Sequence, residues 1–193
     1  MSTNGLSQLA PSPRDRILEA ARTLFYEEGI HSVSVDRIVE RSGHPRGTLY
    51  RHFHGKEALV VEYLTAEDQT IRGYCTSTNT EADPAARLLA IVRGIAEDAM
   101  KHHRRGCPFI NAAAEYPDSE SPVRRAVNTH RMWFRTTLER AFAAAGSVDP
   151  RADAAALVMQ RDAVLVGSYL EDSDEAHRNF AAAVQSRFGL VIS

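Results

Sequence analysis

Hydrogen-bond donors are concentrated in one short segment of the chain, residues 45 to 52. Arginine, threonine, tyrosine and histidine side chains surround a single apolar residue there, Leu49. Guanidinium, hydroxyl and imidazole groups donate hydrogen bonds to base edges in the DNA major groove and to phosphate oxygens. So polar a helix is typical of a recognition helix, which packs one side on a partner helix and presents the other side to DNA.

The residues before this segment predict the element that would position it. Val35, Ile38 and Val39 recur at the spacing of one helical face, and Ser34 precedes them as a side-chain cap. Gly43 suits the end of that helix, and Pro45 suits the first turn of the next, since its missing N–H is not needed there. The pattern predicts two short helices joined by a tight turn, which by spacing alone is either a DNA-binding helix-turn-helix or an ordinary surface hairpin.

The order of the residues separates these two interpretations. Together with RILEAARTLFYEEG before it and KEALVVEYL after it, the segment resembles the DNA-binding domain of the TetR family of transcriptional regulators. The matching residues are Ala20, Ala21, Leu24, Phe25, Gly29, Ser34, Val35, Ile38, Gly43, Gly47, Thr48, Leu49, Tyr50, His52, Phe53, Lys56, Glu57 and Leu59. At the turn itself His44 and Pro45 replace the aliphatic and hydroxyl residues usual in the family, so the usual hydroxyl cap is absent.

The resemblance implies that eight residues contact DNA and that they do so in two groups. Those expected to meet bases or nearby backbone are Arg46, Gly47, Thr48 and Tyr50. Those expected to hold phosphates or the groove edge are Ser34, Arg37, His52 and Lys56. Arg37 and Arg46 are the strongest candidates for reading guanine, because a guanidinium can pair with both acceptors of that base.

Helical periodicity continues through the rest of the chain, and we predict an all-α protein of about nine helices. Residues 1–12 are expected to form a disordered arm and residues 13–56 a three-helix DNA-binding head. A fourth helix would join that head to a larger ligand-binding and dimerisation body, residues 57–193. We predict no strand and no internal repeat.

Composition and charge limit the classes of protein that are possible. The 193 residues are 44% hydrophobic and 25% charged, which is typical of a globular protein. No apolar run reaches the roughly 18 residues of a membrane span, and the first residues lack the apolar centre of a signal peptide, so we expect a cytoplasmic protein without membrane contact. Residues 1–56 hold 8 Lys and Arg against 6 Asp and Glu, a charge of only +2. DNA binding by one copy would therefore depend on a few placed groups, which a twofold dimer would double.

The last two predicted helices carry more apolar surface than one small body needs. Two such helices from each of two subunits could form a four-helix interface, as the family resemblance also implies, although a helix buried inside a monomer would show the same pattern. The residues predicted for this homodimer interface are Leu157, Val164, Leu165, Ser168, Phe180, Val184 and Phe188. A dimer could place two recognition helices in successive major grooves, about 34–36 Å apart, on a pseudo-palindromic operator in double-stranded DNA.

The middle helices contain aromatic, aliphatic and methionine side chains that could line a cavity for a mostly apolar effector. The residues predicted for it are Ile95, Phe109, Asn111, Tyr116, Trp133, Phe134 and Met159. Each could equally be plain core, because helical bundles need such residues in any case. The cavity as a class rests on the family resemblance, and no residue identifies the small molecule.

Cys107 is a candidate sensor thiol. It follows His102, His103, Arg104 and Arg105 and stands at a helix start, and both cations and a helix N-terminus favour a thiolate. The alternative is a small buried residue that fills space before Pro108. A metal site of His102, His103 and Cys107 is not expected, because adjacent histidines on a helix point about 100° apart.

These observations favour a dimeric, ligand-responsive transcriptional repressor without a cofactor or metal. A regulator with the same DNA head that responds through Cys107 to oxidants or electrophiles is the first alternative. An enzyme with a helical body is the second, but the sequence contains no HExxH motif, no glycine-rich phosphate loop and no nucleophile elbow, so no catalytic residue is predicted.

Overall fold

The structure is a computed structural model, and it describes residues 11–78 and 81–192. Within that part of the chain every regular element is a helix, which confirms the predicted all-α fold with nine helices. The helices are α1 (Pro13–Glu28), α2 (Val35–Ser42), α3 (Arg46–His52), α4 (Lys56–Ser77), α5 (Pro84–Lys101), α6 (Pro108–Glu115), α7 (Pro122–Ala144), α8 (Pro150–Leu170) and α9 (Ser173–Phe188). Most of the predicted N-terminal arm, residues 1–10, lies outside the described residues.

Side-chain caps followed by proline explain where the long helices begin. Asp83 accepts hydrogen bonds from the backbone N–H groups of Ala85 and Ala86, and Pro84 begins α5. Asp149 caps α8 in the same way, with Pro150 as its first residue. These positions tolerate proline because the first N–H groups of a helix have no partner within the helix. Both helices therefore begin where a capping aspartate directly precedes a proline.

The described residues form two compact units, which divide between Tyr63 and Leu64. In the first unit α1, α2 and α3 enclose a core to which Ile17, Leu24, Ile38 and Leu49 contribute fully buried side chains. The division falls within α4, beyond the boundary predicted at residue 56. The reason is that the first turns of α4 place Leu59, among other residues, in the core of the first unit.

The second unit is a helical bundle in which α8 packs against both α7 and α9. Its core includes Leu138, Leu157, Leu165 and Val184, all at most 1% exposed. None of the described helices combines the length and the apolar content that crossing a bilayer requires.

The predicted dimer residues require a correction, because six of the seven are buried within the protomer itself. These six are Leu157, Val164, Leu165, Ser168, Phe180 and Val184, and Phe188 is half-buried with its ring 5.0 Å from that of Phe142. Apolar periodicity located the face of α8 and α9 that forms the core of the bundle. The residues that α8 exposes are different ones, including Met159, Val166, Tyr169 and Leu170.

Candidate nucleic-acid interface and ligand cavity

The turn between α2 and α3 is fixed by local hydrogen bonds. The Ser34 hydroxyl accepts from the backbone N–H of Arg37 at 3.1 Å and caps α2. Gly43 ends α2 in the left-handed conformation, at φ 68°, which a glycine adopts without steric cost. Pro45 provides no side-chain cap for α3, as expected from the absent hydroxyl, but its carbonyl accepts from Thr48 N–H at 2.8 Å.

Helix α3 buries one side chain, Leu49, and leaves a polar face exposed. Arg46 lies across this face: its guanidinium is 5.7 Å from the centre of the Tyr50 ring and donates to the Tyr50 hydroxyl at 3.4 Å. The same guanidinium pairs with Asp36 of α2 at 2.7 Å. A methyl group built on Gly47 meets no atom within 4 Å, so nothing in the first unit itself requires glycine there.

Several other predicted DNA-contacting residues already have partners in the free protein. Arg37 pairs with Glu40 at 3.2 Å and Glu28 at 3.6 Å. Lys56 donates to the His31 carbonyl at 3.3 Å. These contacts hold the side chains at the surface of the first unit, where DNA would have to replace them.

Two exposed cations of the first unit are not among the eight residues predicted to contact DNA. Arg16 of α1 and Arg41 of α2 lie along one open groove of this unit. Their positions in two different helices gave no common motif, so only the packing of α2 against α1 brings them together.

A cavity of about 240 Å³ lies within the second unit, between α4, α5, α7 and α8. Its wall is mostly aliphatic and aromatic, with polar groups at a few points. The lining residues are Thr70, Ile71, Tyr74, Cys75, Ile91, Gly94, Ile95, Glu97, Asp98, His102, Phe134 and Arg161. Of the predicted ligand residues, Ile95 and Phe134 lie in this wall.

The other five predicted ligand residues do not line this cavity. Met159 is 71% exposed and faces away from the core, so its prediction as a cavity residue was wrong. Phe109 stacks on the His130 ring at 3.7 Å, and Trp133 packs under the Arg72 guanidinium at 4.1 Å.

Asn111 and Tyr116 have structural contacts on either side of α6. Asn111 donates to the Arg105 carbonyl at 3.0 Å, and the Tyr116 carbonyl accepts from Arg124 at 3.3 Å. These residues were predicted from their types, and residue type does not distinguish the wall of a cavity from the surrounding core.

Ten of the twelve lining residues were not predicted from the sequence, and Arg161 is the only arginine among them. Its side chain is buried, and its Nη1 donates to Cys107 Sγ at 3.3 Å and to Asp162 Oδ1 at 3.0 Å. Burial alone would lower the pKa of this guanidinium, but the Cys107 sulfur and the Asp162 carboxylate raise it above its usual value. In the sequence Arg161 and Asp162 appear as an ordinary charged pair on a helix, so no local signal marked the arginine as buried.

Two buried histidines beside the cavity have pKa values that are shifted in opposite directions. Burial lowers the pKa of His130 to about 4, despite its 2.8 Å hydrogen bond to Asp68, so its ring is neutral near pH 7. Burial also opposes protonation of His103, but hydrogen bonds to Asp98 and Glu67 prevail and raise its pKa to about 9. His103 is therefore a buried cation held between two carboxylates.

The two cysteines occupy different surroundings. Burial raises the pKa of Cys75 to about 11, which keeps it a thiol near pH 7. Cys107 is fully buried beside the Arg161 guanidinium. His103, which sequence analysis considered together with Cys107, is engaged with Asp98 at 2.8 Å.

The head and body therefore have the form of a helix-turn-helix DNA-binding regulator, and comparison with known proteins identifies its family. The family model described as "Bacterial regulatory proteins, tetR family" matches residues 17–63. The model described as "Tetracyclin repressor-like, C-terminal domain" matches residues 84–184. The chain belongs to the TetR family of bacterial transcriptional regulators, as its sequence predicted.

Similar proteins are found over most of the chain. The HTH-type transcriptional regulator LmrA of Bacillus subtilis is 29% identical over 162 residues, which cover 81% of this chain and 84% of LmrA. A TetR-family regulator from Streptomyces coelicolor, solved by crystallography, is 39% identical with a TM-score of 0.86, covering 90% of this chain and 93% of that one. AibR, solved in complex with isovaleryl coenzyme A and operator DNA, shares the fold at a TM-score of 0.67 and 19% identity, covering 89% of this chain and 97% of AibR.

Proposed function

We propose that this TetR-family regulator is a cytoplasmic, dimeric repressor that leaves its operator when a small, mostly apolar molecule enters the cavity of the second unit. The observation that carries the proposal is the continuity of α4. Its first turns bury Leu59 in the first unit, and its later turns supply Ile71 and Tyr74 to the cavity wall. A molecule that binds one position of α4 more tightly than another shifts the population of DNA-binding states.

The proposed DNA contacts rest on the exposed face of α3. Arg46 and Tyr50 are exposed donors on this face, and Gly47 has open space around it. A fluorescently labelled DNA fragment from the region upstream of the protein's own gene provides the assay. Replacing both Arg46 and Tyr50 by Ala should reduce its affinity at least about tenfold, because specific base and phosphate contacts each contribute about 1–3 kcal/mol. Unchanged affinity would exclude α3 as the recognition helix.

Gly47→Ala separates DNA binding from folding. Alanine is favoured over glycine in a helix by about 1 kcal/mol, and the added methyl group meets nothing in the free unit. We therefore expect the thermal midpoint to be equal or higher while operator affinity falls, because a methyl group would obstruct a closely approaching backbone. Equal affinity would show that DNA does not come close to this residue.

The alternative trigger is the Cys107 thiol, and one observation favours it. The Arg161 guanidinium donates to Cys107 Sγ at 3.3 Å, so a cationic group lies directly beside the sulfur. Cys107→Ser should abolish induction by such reagents if this trigger operates, whereas Cys75→Ser should leave it intact because Cys75 remains protonated. If Cys107→Ser responds to every inducer like the parent protein, release depends on the cavity alone.

Catalysis is not part of this proposal. The chain belongs to a family of regulators, and the two carboxylates of the cavity wall, Asp98 and Glu97, pair with His103 and Lys101.

A further inference from the structure

The charge balance around Arg161 is incomplete on the side that faces the cavity. Asp162 pairs with two arginines, accepting from Arg161 at 3.0 Å and from Arg131 at 2.8 Å. Two guanidinium groups therefore share one carboxylate, which leaves a net positive charge. Arg131 is 40% exposed, so the buried part of this charge is the Arg161 guanidinium, which has room for a further acceptor.

The geometry shows where that acceptor would lie. Arg161 uses Nη1 for both Asp162 and Cys107. Within residues 11–78 and 81–192, its Nε and Nη2 groups have no hydrogen-bond acceptor, although the side chain is only 7% exposed and lines the cavity. Phe134 supports the guanidinium at 5.5 Å and lies in the same wall.

The acidic residues of the cavity wall do not compete for this position. Asp98 is engaged with the His103 cation at 2.8 Å, and Glu97 pairs with Lys101 at 2.5 Å. Asp98 shares the His103 cation with Glu67, and Glu97 has Lys101 as its partner, so both carboxylates of the wall already contact a basic side chain other than Arg161. A planar carboxylate matches the two remaining donors of a guanidinium.

We propose that the effector is an apolar acid, whose hydrophobic body fills the space between Ile91, Ile95 and Phe134 and whose carboxylate pairs with Arg161. This inference deepens the proposed function and rests on it. It assigns Arg161 as the residue that selects acids over neutral molecules of the same shape.

A matched pair of probes tests this assignment on the full-length protein. 2-Naphthoate and 2-naphthamide share a bicyclic body and differ in charge. Titration calorimetry should show the acid binding about tenfold or more tightly than the amide, since hydrogen bonds to charged groups are stronger than neutral ones. Arg161→Gln should bring the two affinities to within about threefold of each other, and Arg161→Lys should restore the preference, because it restores the charge.

Further variants locate the binding and keep the test decisive if Arg161→Gln does not fold. Ile95→Trp should abolish binding of both probes by filling the cavity, whereas Met159→Trp on the exposed face of α8 should not. Equal affinity of the parent protein for acid and amide, or binding that survives Ile95→Trp, overturns the inference. The proposed function fails on separate grounds, namely if Arg46→Ala with Tyr50→Ala leaves operator binding unchanged.

Discussion

Arg46 is held in the free protein by a carboxylate that DNA would have to displace. Its Nη1 is 2.7 Å from Asp36, and both side chains are more than half exposed. The same carboxylate would lie close to incoming phosphates and repel them. Asp36 therefore restrains the arginine and weakens non-specific attraction to DNA.

Asp36→Asn should consequently raise operator affinity by roughly two- to fivefold, which is the scale of one exposed ion pair. The gain should shrink at high salt, because both the pair and the phosphate repulsion are screened. Fluorescence anisotropy at two salt concentrations provides the measurement. Glu27→Gln, an exposed site on α1 with the same change in charge, is the control and should have a smaller effect. Affinity unchanged or reduced in Asp36→Asn would show that the pair orders Arg46 for binding.

His103 should make the free energy of unfolding depend on pH above neutrality. Its pKa is about 9 in the folded protein, above the ordinary value of 6.5. The folded state therefore holds a proton that the unfolded state loses, so this contribution is complete below pH 6.5 and is lost as pH rises towards 9. Urea titrations between those pH values should show a decline that His103→Gln flattens. The exposed neighbour His102→Gln should retain the slope of the parent protein.

His130 should have the opposite effect on the pH dependence of the free energy of unfolding. Its folded pKa of about 4 lies below 6.5, so the unfolded state binds the additional proton and stability is lost as pH falls through this range. The ring resonances of His130 in an NMR titration should stay those of neutral imidazole down to about pH 5. A midpoint near 6.5 would show that the stacking on Phe109 and burial do not suppress protonation.

The crossing of helices α4 and α5 depends on a residue without a side chain, Gly94. A methyl group on Gly94 would lie 2.1 Å from Tyr74 Cε1, so the Tyr74 ring can occupy its place only beside glycine. There Tyr74 donates to the Ala90 carbonyl at 2.9 Å and forms part of the cavity wall. Gly94 thus leaves the space that the Tyr74 ring occupies at the cavity.

Gly94→Ala should displace Tyr74 and reduce naphthoate affinity, even though alanine favours the helix by about 1 kcal/mol. Gly73→Ala is a matched control on α4, where a methyl group meets no atom within 4 Å. It should raise the free energy of unfolding by roughly 0.5–1 kcal/mol and leave probe affinity unchanged. Calorimetry and thermal unfolding of both variants give the comparison. Equal naphthoate affinity of the two variants would mean that Tyr74 moves aside without affecting the cavity.

We expect function to depend on a second copy, bound at a surface that includes only Val164 and Phe180 of the residues predicted for the interface. An open groove runs between α8 and α9, with buried Val164 and Phe180 in its floor. Small residues along it, such as Ala163, Gly167 and Ala183, permit close approach of another helix. We expect this groove and the exposed apolar residues of α8 to form the twofold interface.

Ala163→Glu should place a charge in the groove and shift the protein from dimer to monomer in light scattering. Operator affinity should fall at the same time, because one head of small positive charge binds weakly. Ala152→Glu, also exposed on α8 but outside the groove, should remain dimeric. A dimeric Ala163→Glu protein would place the interface elsewhere.

The DNA-binding head and the all-helical class could be predicted from the order of the residues, because both depend on contacts between residues a few positions apart. Helix ends are set by nearby residues, as at Ser34, Gly43 and Asp149. Such local interactions can be recognised from neighbouring residues in the sequence. Which of the inward-facing residues line a cavity depends on how distant helices pack, and this could be seen only in the tertiary structure. Phe109 and Phe134 have the same periodic signal, yet one stacks on His130 and the other lines the cavity.

Arg161 shows that the sequence alone also does not reveal which charged residues are buried. In the sequence it is one member of an adjacent charged pair, and pairs of that kind usually lie in solvent. The packing of α8 against α7 buries the guanidinium beside Phe134 and Cys107 instead. Burial depends on residues far apart in the chain, and for that reason a feature that we infer to select the effector could be recognised only in the folded molecule.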